Sequence, residues 1–107
     1  MDVIVHRIRL HHGVDPARFE AWVREVDYAT CPELPSVTAF SVQRADAEAP
    51  FLFFEIIQVT SREDFERDMA SPAFGRLVAD FEEMASVVEE FTGTRIEPGY
   101  TAALTVG

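Results

Sequence analysis

The feature that most constrains the fold is the run FLFFEIIQV at residues 51–59. It is rich in aromatic and β-branched side chains, and Glu55 at its centre is its one ionisable residue. Its short length and the preceding Pro50 favour a strand over a helix. A strand that is apolar on both faces must be covered on both, so the run predicts the middle of a sheet.

Length and composition limit the class of protein. The chain has 107 residues, 48% of them hydrophobic, which predicts one folded domain over residues 1–107. A formal charge of −10 argues against nucleic-acid or anionic-membrane partners, because both would be repelled. No run could span a membrane, no basic leader is visible, and the single Cys31 cannot form an intrachain disulfide. We therefore expect a cytoplasmic protein.

The first half of the chain predicts a strand, a helix and a second strand. Side chains alternate between two sets over residues 3–10, which indicates a strand. Asp15 and Pro16 are typical of a helix start, and the prolines within residues 31–35 end that helix. Its predicted apolar stripe consists of Phe19, Trp22, Val23 and Val26. Residues 36–44 predict the second strand, and the polar residues 45–50 connect it to the central run.

In the second half, Ser61 followed by Asp64 predicts a helix start, and Ser71-Pro72 interrupts that helix. A longer helix then follows, with Gly93 as its expected end. The apolar stripe of this helix is Phe74, Leu77, Val78, Phe81, Met84, Ala85, Val88 and Phe91. Residues 100–106 are expected to form the last strand.

The resulting order β-α-β-β-α-β predicts an α+β, ferredoxin-like fold with an antiparallel sheet. Right-handed crossovers place the first and third strands side by side, with both helices on one face. The other face would still expose the apolar side chains of the central run. We therefore expect a homodimer whose two sheets pack face to face, the dimeric α/β-barrel arrangement.

Antiparallel pairing of the first and third strands predicts a reactive pair. Centring residues 3–10 on residues 51–59 places His6 near Glu55 on the same face. A histidine beside a carboxylate in an apolar pocket can act as general base and acid near neutral pH, with the carboxylate orienting the imidazole. Two simpler interpretations remain. The two groups could form an ion pair with a purely structural role inside the sheet, or a register slip could separate them.

A second group of candidates lies at the end of the first helix. Tyr28 could donate a hydrogen bond to a substrate oxygen, or it could simply pack. Cys31 could be a nucleophile only beside a cation or a helix N-terminus, so a small buried side chain is the preferred interpretation. Asp27 and Cys31 are predicted to bind the substrate, together with the aromatic pocket residues Phe19, Trp22, Phe53 and Phe81.

The remaining polar residues give weaker indications. His11 and His12 have no third ligand at metal-binding spacing, so neither a metal nor a cofactor is predicted. Arg95 and Tyr100 flank the last predicted turn and could reach a pocket mouth, although pairing of the arginine with surface acids is the simpler interpretation.

Six runs also carry a family resemblance. They are VHRIRL (5–10), DYATCPELPSV (27–37), FSVQR (40–44), FEII (54–57), FERDMA (65–70) and RIEPGY (95–100). The chain resembles the RedY-like (HapK) family over nearly its whole length, most specifically in the run at 27–37. The resemblance implies the dimeric α/β-barrel fold and a role in prodiginine-type, pyrrole- or indole-derived natural-product pathways. It also implies a small tailoring enzyme for dehydration or cyclisation, without supplying a catalytic residue set.

The leading functional hypothesis is a cofactor-free acid–base enzyme that acts on a small hydrophobic heterocyclic intermediate. In it His6 moves the proton, Glu55 orients the imidazole and Tyr28 binds the leaving or carbonyl oxygen. One alternative is a cofactor-independent monooxygenase, which would consume oxygen. The other is a non-catalytic binder that shields a reactive intermediate or delivers it to a partner enzyme.

Overall fold

The computed structural model describes residues 1–49 and 52–103. The strands are β1 (Asp2–Leu10), β2 (Val37–Arg44), β3 (Phe53–Val59) and β4 (Ala85–Thr94). The helices are α1 (Pro16–Trp22), α2 (Tyr28–Thr30), α3 (Arg62–Met69) and α4 (Pro72–Met84). A π-helical segment (Val23–Asp27) joins α1 to α2, and a 3₁₀ turn (Cys31–Glu33) follows α2. None of the described helices is long and apolar enough to cross a membrane.

The strands form one antiparallel sheet in the order β2-β3-β1-β4. This arrangement confirms the predicted α+β, ferredoxin-like fold, with β3 between β1 and β2 as its apolar sequence requires. The sheet of a single chain remains open and does not close into a barrel. Residues 50 and 51 of the predicted connection and strand lie outside the described residues, and Leu52 precedes β3.

Side-chain caps fix the helix starts that the sequence predicts. Asp15 accepts a hydrogen bond from the Ala17 amide at 2.9 Å. The Ser61 hydroxyl accepts one from the Asp64 amide at 3.0 Å, and Ser71 begins α4 in the same way. Each cap satisfies an amide that the first helical turn leaves without a partner, which explains why the helices begin there.

The predicted extension of the last helix to Phe91 is wrong. Helix α4 ends at Met84, and the chain continues as β4, which pairs with β1. The spacing of Ala85, Val88 and Phe91 extends the helical stripe by coincidence, whereas the β-branched residues of this segment favour a strand. Pairing with β4 also satisfies the backbone hydrogen-bonding groups along the free edge of β1. The spacing of side chains within one segment gives no information about this contact between distant segments.

The fourth strand therefore comes earlier in the chain than predicted. Residues 100–103 of the expected last strand have no regular structure, and residues 104–106 lie outside the described part of the chain. The order of element types is nevertheless the predicted one, because β4 takes the place of the expected last strand.

The two faces of the sheet differ in what covers them. The helix face packs against the helices, with Ile8, Phe19 and Phe53 almost completely buried among them. The opposite face, here called the helix-free face, carries alternate strand residues. Its apolar residues on β1, β3 and β4 are Val3, Val5, Phe54, Ile56 and Phe91. The side chains of the helix face are those that can form a pocket beneath the helices.

Two neighbouring residues test the position of β3. Phe53 is 2% exposed, whereas Leu52, just before the strand, is 47% exposed. We expect Phe53→Ala to lower the free energy of unfolding by about 3–5 kcal/mol, because it empties part of the core. Leu52→Ala is the matched control and should change it by less than about 0.5 kcal/mol. Urea denaturation measures both, and equal losses would contradict this burial pattern.

Candidate active site

His6 on β1 lies between two carboxylates, one on each of the two neighbouring strands. The register of β1 places it opposite Glu55 of β3 on one side and Glu90 of β4 on the other. Its Nδ1 is 2.7 Å from Glu55 Oε1, and its Nε2 is 2.6 Å from Glu90 Oε2. The predicted meeting of His6 and Glu55 is therefore present, and the pairing with Glu90 is an addition.

This geometry indicates the charge of the imidazole. A histidine placed between two carboxylates is favoured in the form that carries a proton on both ring nitrogens, because an ionised carboxylate only accepts hydrogen bonds. Burial by itself would lower the pKa of His6, but the hydrogen bonds to Glu55 and Glu90 outweigh it, and the pKa is raised. Near neutral pH His6 is thus disposed to donate a proton.

The prediction from sequence missed Glu90 because it placed this residue in a helix. The signal was present in the run Val87-Val88-Glu89-Glu90, whose β-branched pair is typical of a strand. The side chain of Glu90 is 56% exposed, whereas Glu55 is largely buried. The Glu90 carboxylate can therefore leave the imidazole and be hydrated, whereas Glu55 is the fixed partner of the imidazole.

The cluster borders a cavity of about 610 Å³ between the helix face of the sheet and the helices. Its walls are mainly apolar and include Phe40, Ile57, Phe65, Phe74 and Leu77. Of the candidates predicted from sequence, the cavity is lined by His6, Trp22, Asp27, Cys31, Glu55 and Phe81. These residues come from the β1–β3 pair, the first helical segment and α4, so the fold brings distant candidates to one space.

The π-helical segment decides which residues of the first helix reach this cavity. Its wider turn is closed by the hydrogen bond from the Tyr28 amide to the Val23 carbonyl. Trp22 and Asp27, five residues apart, therefore both line the cavity. Val26 is 36% exposed instead, so its place in the predicted apolar stripe is wrong. A regular helix would have put Val26, four residues after Trp22, on that face.

Asp27 is the most deeply buried of the carboxyl groups around the cavity. It is 9% exposed, and no donor among the residues that the structure describes forms a hydrogen bond with its carboxyl group. Burial and the nearby charge of Glu55 raise its pKa to about 7. Asp27 is thus a carboxyl group that can change its charge near neutral pH.

Cys31 lies next to Asp27 and has little nucleophilic character. Its Sγ donates a hydrogen bond to the Asp27 carbonyl oxygen at 3.4 Å. Burial, together with the charges of Asp27 and Glu55, raises the pKa of the thiol to about 11. Because the thiolate is the reactive form, a thiol with this pKa is a poor nucleophile at neutral pH.

Five other candidates are not among the residues that line the cavity. The Tyr28 hydroxyl accepts a hydrogen bond from the Val42 amide at 3.0 Å and donates one to the Val42 carbonyl. Tyr28 lines a second space of about 100 Å³, together with Phe19 and Phe53, which are core residues. Tyr100 is almost fully exposed, and Arg95 donates a hydrogen bond to the Pro98 carbonyl. The structure does not bring these residues to His6.

An antiparallel sheet covered by helices on one face, with a histidine between two carboxylates beside a largely apolar cavity, defines a small ferredoxin-like protein with a candidate small-molecule site. The chain belongs to the family described as REDY-like protein HapK, whose profile matches residues 2–96. The crystal structure of HapK from Hahella chejuensis is 47% identical, with a TM-score of 0.87. The match covers 96% of this chain and 100% of that one.

More distant structures share the fold alone. SnoaB from Streptomyces nogalater, described as a cofactor-independent oxygenase, is 18% identical with a TM-score of 0.73, over 91% of this chain and 94% of its own. A dimeric ferredoxin-like protein of unknown function from Thermobifida fusca is 13% identical with a TM-score of 0.67, over 86% of each chain. The comparison with curated proteins found no match.

The raised pKa of Asp27 predicts how stability depends on pH. Between about pH 4, the usual carboxyl pKa, and pH 7, Asp27 keeps a proton in the folded state that it loses in the unfolded state. Folding therefore carries a free-energy cost that grows as the pH rises. Asp27→Asn removes this cost. Its stabilising effect should increase by about 2–3 kcal/mol from pH 5 to pH 8, measured by urea denaturation of both proteins. A constant difference over this range would show that Asp27 does not titrate there.

Proposed function

We propose that this chain is a cofactor-free acid–base enzyme of secondary metabolism that dehydrates or cyclises a small hydrophobic heterocyclic intermediate. The observation that carries the proposal is a His6 imidazole hydrogen-bonded to both Glu55 and Glu90 at the wall of a largely apolar cavity. Membership of the REDY-like HapK family supports the pathway context. The cavity is of a size that small-molecule sites commonly have.

In the proposed reaction His6 first acts as the acid. A hydroxyl oxygen of the substrate takes the place of Glu90 Oε2 at Nε2, which the exposure of Glu90 permits. His6 donates its Nε2 proton, the carbon–oxygen bond breaks, and the hydroxyl leaves as water. The neutral imidazole, still donating from Nδ1 to Glu55, then accepts a proton from the neighbouring atom of the substrate. The net change is the loss of one water, and the imidazolium is restored.

This mechanism assigns no role to Tyr28, whose hydroxyl is engaged by the backbone of β2. Substrate binding is assigned to the cavity residues Trp22, Asp27, Cys31 and Phe81. The aromatic pair contacts the ring of the substrate, and Asp27 lines the same cavity from the helical side.

The reaction can be tested with purified protein and an extract from a prodiginine-type producer that lacks its own RedY-like gene. Wild-type protein should convert the accumulated intermediate into a product lighter by one water, detected by mass spectrometry. His6→Gln should slow this conversion about 100-fold or more, because a positioned acid–base group contributes at least that factor. His12→Gln, which changes an exposed histidine outside the cavity, is the matched control and should retain the wild-type rate.

Other outcomes would support the competing functions. Oxygen consumption with incorporation of labelled oxygen would favour an oxygenase, the activity stated for the structurally similar SnoaB. Full conversion by both His6→Gln and Glu55→Gln, with loss in the cavity-filling variant Val78→Trp, would indicate a binder without acid–base chemistry. Either result would overturn the proposed dehydration.

We also propose that a second copy of the chain covers the helix-free face. By the strand register, Val5 lies next to Ile56 on one side and Phe91 on the other, which gives this face an apolar centre. A structurally similar protein is described as dimeric. Burial of such a patch between two identical sheets would remove its apolar area from water.

Sedimentation velocity at micromolar concentration tests this association. The wild-type chain should sediment as a dimer, and Ile56→Lys should shift it to a monomer, because the change places a charge at the centre of the interface. Val78→Lys, a charge of the same kind on the helix side, should leave the dimer intact. A wild-type monomer under these conditions would contradict the proposal.

A further inference from the structure

We infer that Asp27 binds a positively charged nitrogen of the ligand, and that the cavity therefore selects apolar organic cations. The inference rests on the proposed function, because it concerns the same cavity, and it deepens that function by naming a substrate class. It depends on three observations: an unpartnered buried carboxyl group, the helical irregularity that places it, and the balance of charge around the cavity.

The first observation is that Asp27 lacks a partner where one would be expected. It is 9% exposed, and within the described residues its carboxyl group makes no hydrogen bond and no ion pair. Buried carboxyl groups are normally paired or hydrogen-bonded; Asp68, which is also buried, accepts hydrogen bonds from the Ser36 amide and hydroxyl. An acceptor left open on a cavity wall is a place for a donor supplied by a ligand.

The second observation is the local geometry. The π-helical turn brings Asp27, and not the apolar Val26, onto the face that carries Trp22. A regular helix would have placed a valine toward this space and avoided the cost of burying a carboxyl group. Single π-helical turns within α-helices occur frequently at functional sites. The irregularity thus replaces an apolar contact with a carboxyl group that has no protein partner among the described residues, which leaves it to water or to a ligand.

The third observation is the excess of negative charge. The described residues around the cavity include five carboxyl groups, those of Asp27, Glu55, Glu66, Glu82 and Glu90. Against them stand one arginine, Arg62, and two histidines, His6 and His11, the second of which bonds the Ser86 hydroxyl. The charge of His6 is already balanced by two carboxylates. Arg62 is exposed and lies beside the Thr92 hydroxyl on β4. Neither pairs with Asp27, so a cation on the ligand would complete the site.

The apolar and aromatic walls strengthen this preference. Trp22 lies on the same helical face as Asp27, and Phe81 is 6.5 Å from Trp22 between ring centroids. Aromatic faces attract cations, and an ion pair removed from water is stronger than one at the surface. An apolar body with one charged nitrogen fits both parts of the cavity, whereas an anion would face the excess of carboxylates.

Three probes of similar shape can measure the selectivity by calorimetry at pH 8 and physiological salt. Tryptamine carries a positive charge, indole-3-ethanol is neutral, and indole-3-propionate is negative. Tryptamine should bind about tenfold more tightly than either of the others, since a charge-assisted hydrogen bond in a buried site contributes at least that factor. Asp27→Asn, which keeps the shape of the side chain, should abolish the preference. Asp46→Asn, which changes an exposed carboxyl group that does not line the cavity, should retain the preference.

A second measurement uses the unmodified protein. Because Asp27 must be ionised to bind a cation, tryptamine should bind about tenfold more tightly at pH 8 than at pH 6, the span over which a group with a pKa of about 7 ionises. The charged groups that face Asp27 are Glu55 on β3 and, beyond it, His6 on β1 and Glu90 on β4; Cys31 on its own helical segment is neutral. Deprotonation of His6 would act in the same direction, so the Asp27→Asn protein serves as the reference.

The results separate this inference from the proposed reaction. His6→Gln should lose turnover and still prefer tryptamine, so absence of dehydration alone leaves the cation site standing. Equal binding of the three probes by wild-type protein would overturn the inference, as would an unchanged preference in folded Asp27→Asn. If that variant does not fold, a tryptamine affinity that is constant between pH 6 and pH 8 in the wild-type protein would overturn it equally.

Discussion

The structure depends on how a charged imidazole is accommodated inside a sheet. His6 lies on the strand between β3 and β4, and its two ring nitrogens bond carboxylates on both neighbours. A buried charge is costly without such partners, and a buried carboxylate is costly for the same reason. His6 and Glu55 therefore offset the cost of each other's burial, and the exposed Glu90 adds a second acceptor for the imidazole. The same cluster constrains the register of the two strand pairs, because a slip of one residue would move a partner to the opposite face.

One of the two hydrogen bonds of this cluster, that between His6 and Glu55, could be predicted from the sequence. The run around Glu55 is so apolar that it must be central, and the alternation of residues 3–10 places His6 on the matching face. Glu90 could not be placed in the same way, because a helical apolar spacing continues across the end of α4. What ends the helix is pairing with the free edge of β1, a contact between segments nearly eighty residues apart in the sequence. Local periodicity carries no information about such a contact.

The π-helical segment shows a second limit of prediction from periodicity. The helix start at Asp15 follows from its residue type, and Phe19 and Val23 are buried as the stripe predicts. After Val23 the wider turn shifts the face by one residue, so Val26 turns toward solvent and Asp27 turns inward. No residue between Trp22 and Tyr28 has a side chain that specifies this irregularity. Its consequence is chemical, since it exchanges a valine for a carboxyl group at the cavity wall.

The surroundings of the cavity raise the pKa of both His6 and Asp27. Glu55 contributes to each effect, because the same negative charge that stabilises the His6 imidazolium makes ionisation of Asp27 unfavourable. A cationic ligand would reverse the second effect and leave the first in place, since it would replace the proton of Asp27 while His6 keeps its own. Binding would thereby convert Asp27 from a neutral acid into a carboxylate in the cavity that His6 also lines. A largely apolar cavity with this arrangement can recognise a charged nitrogen at Asp27 and protonate a leaving group at His6; burial sets the first condition, and the charge of Glu55 contributes to both.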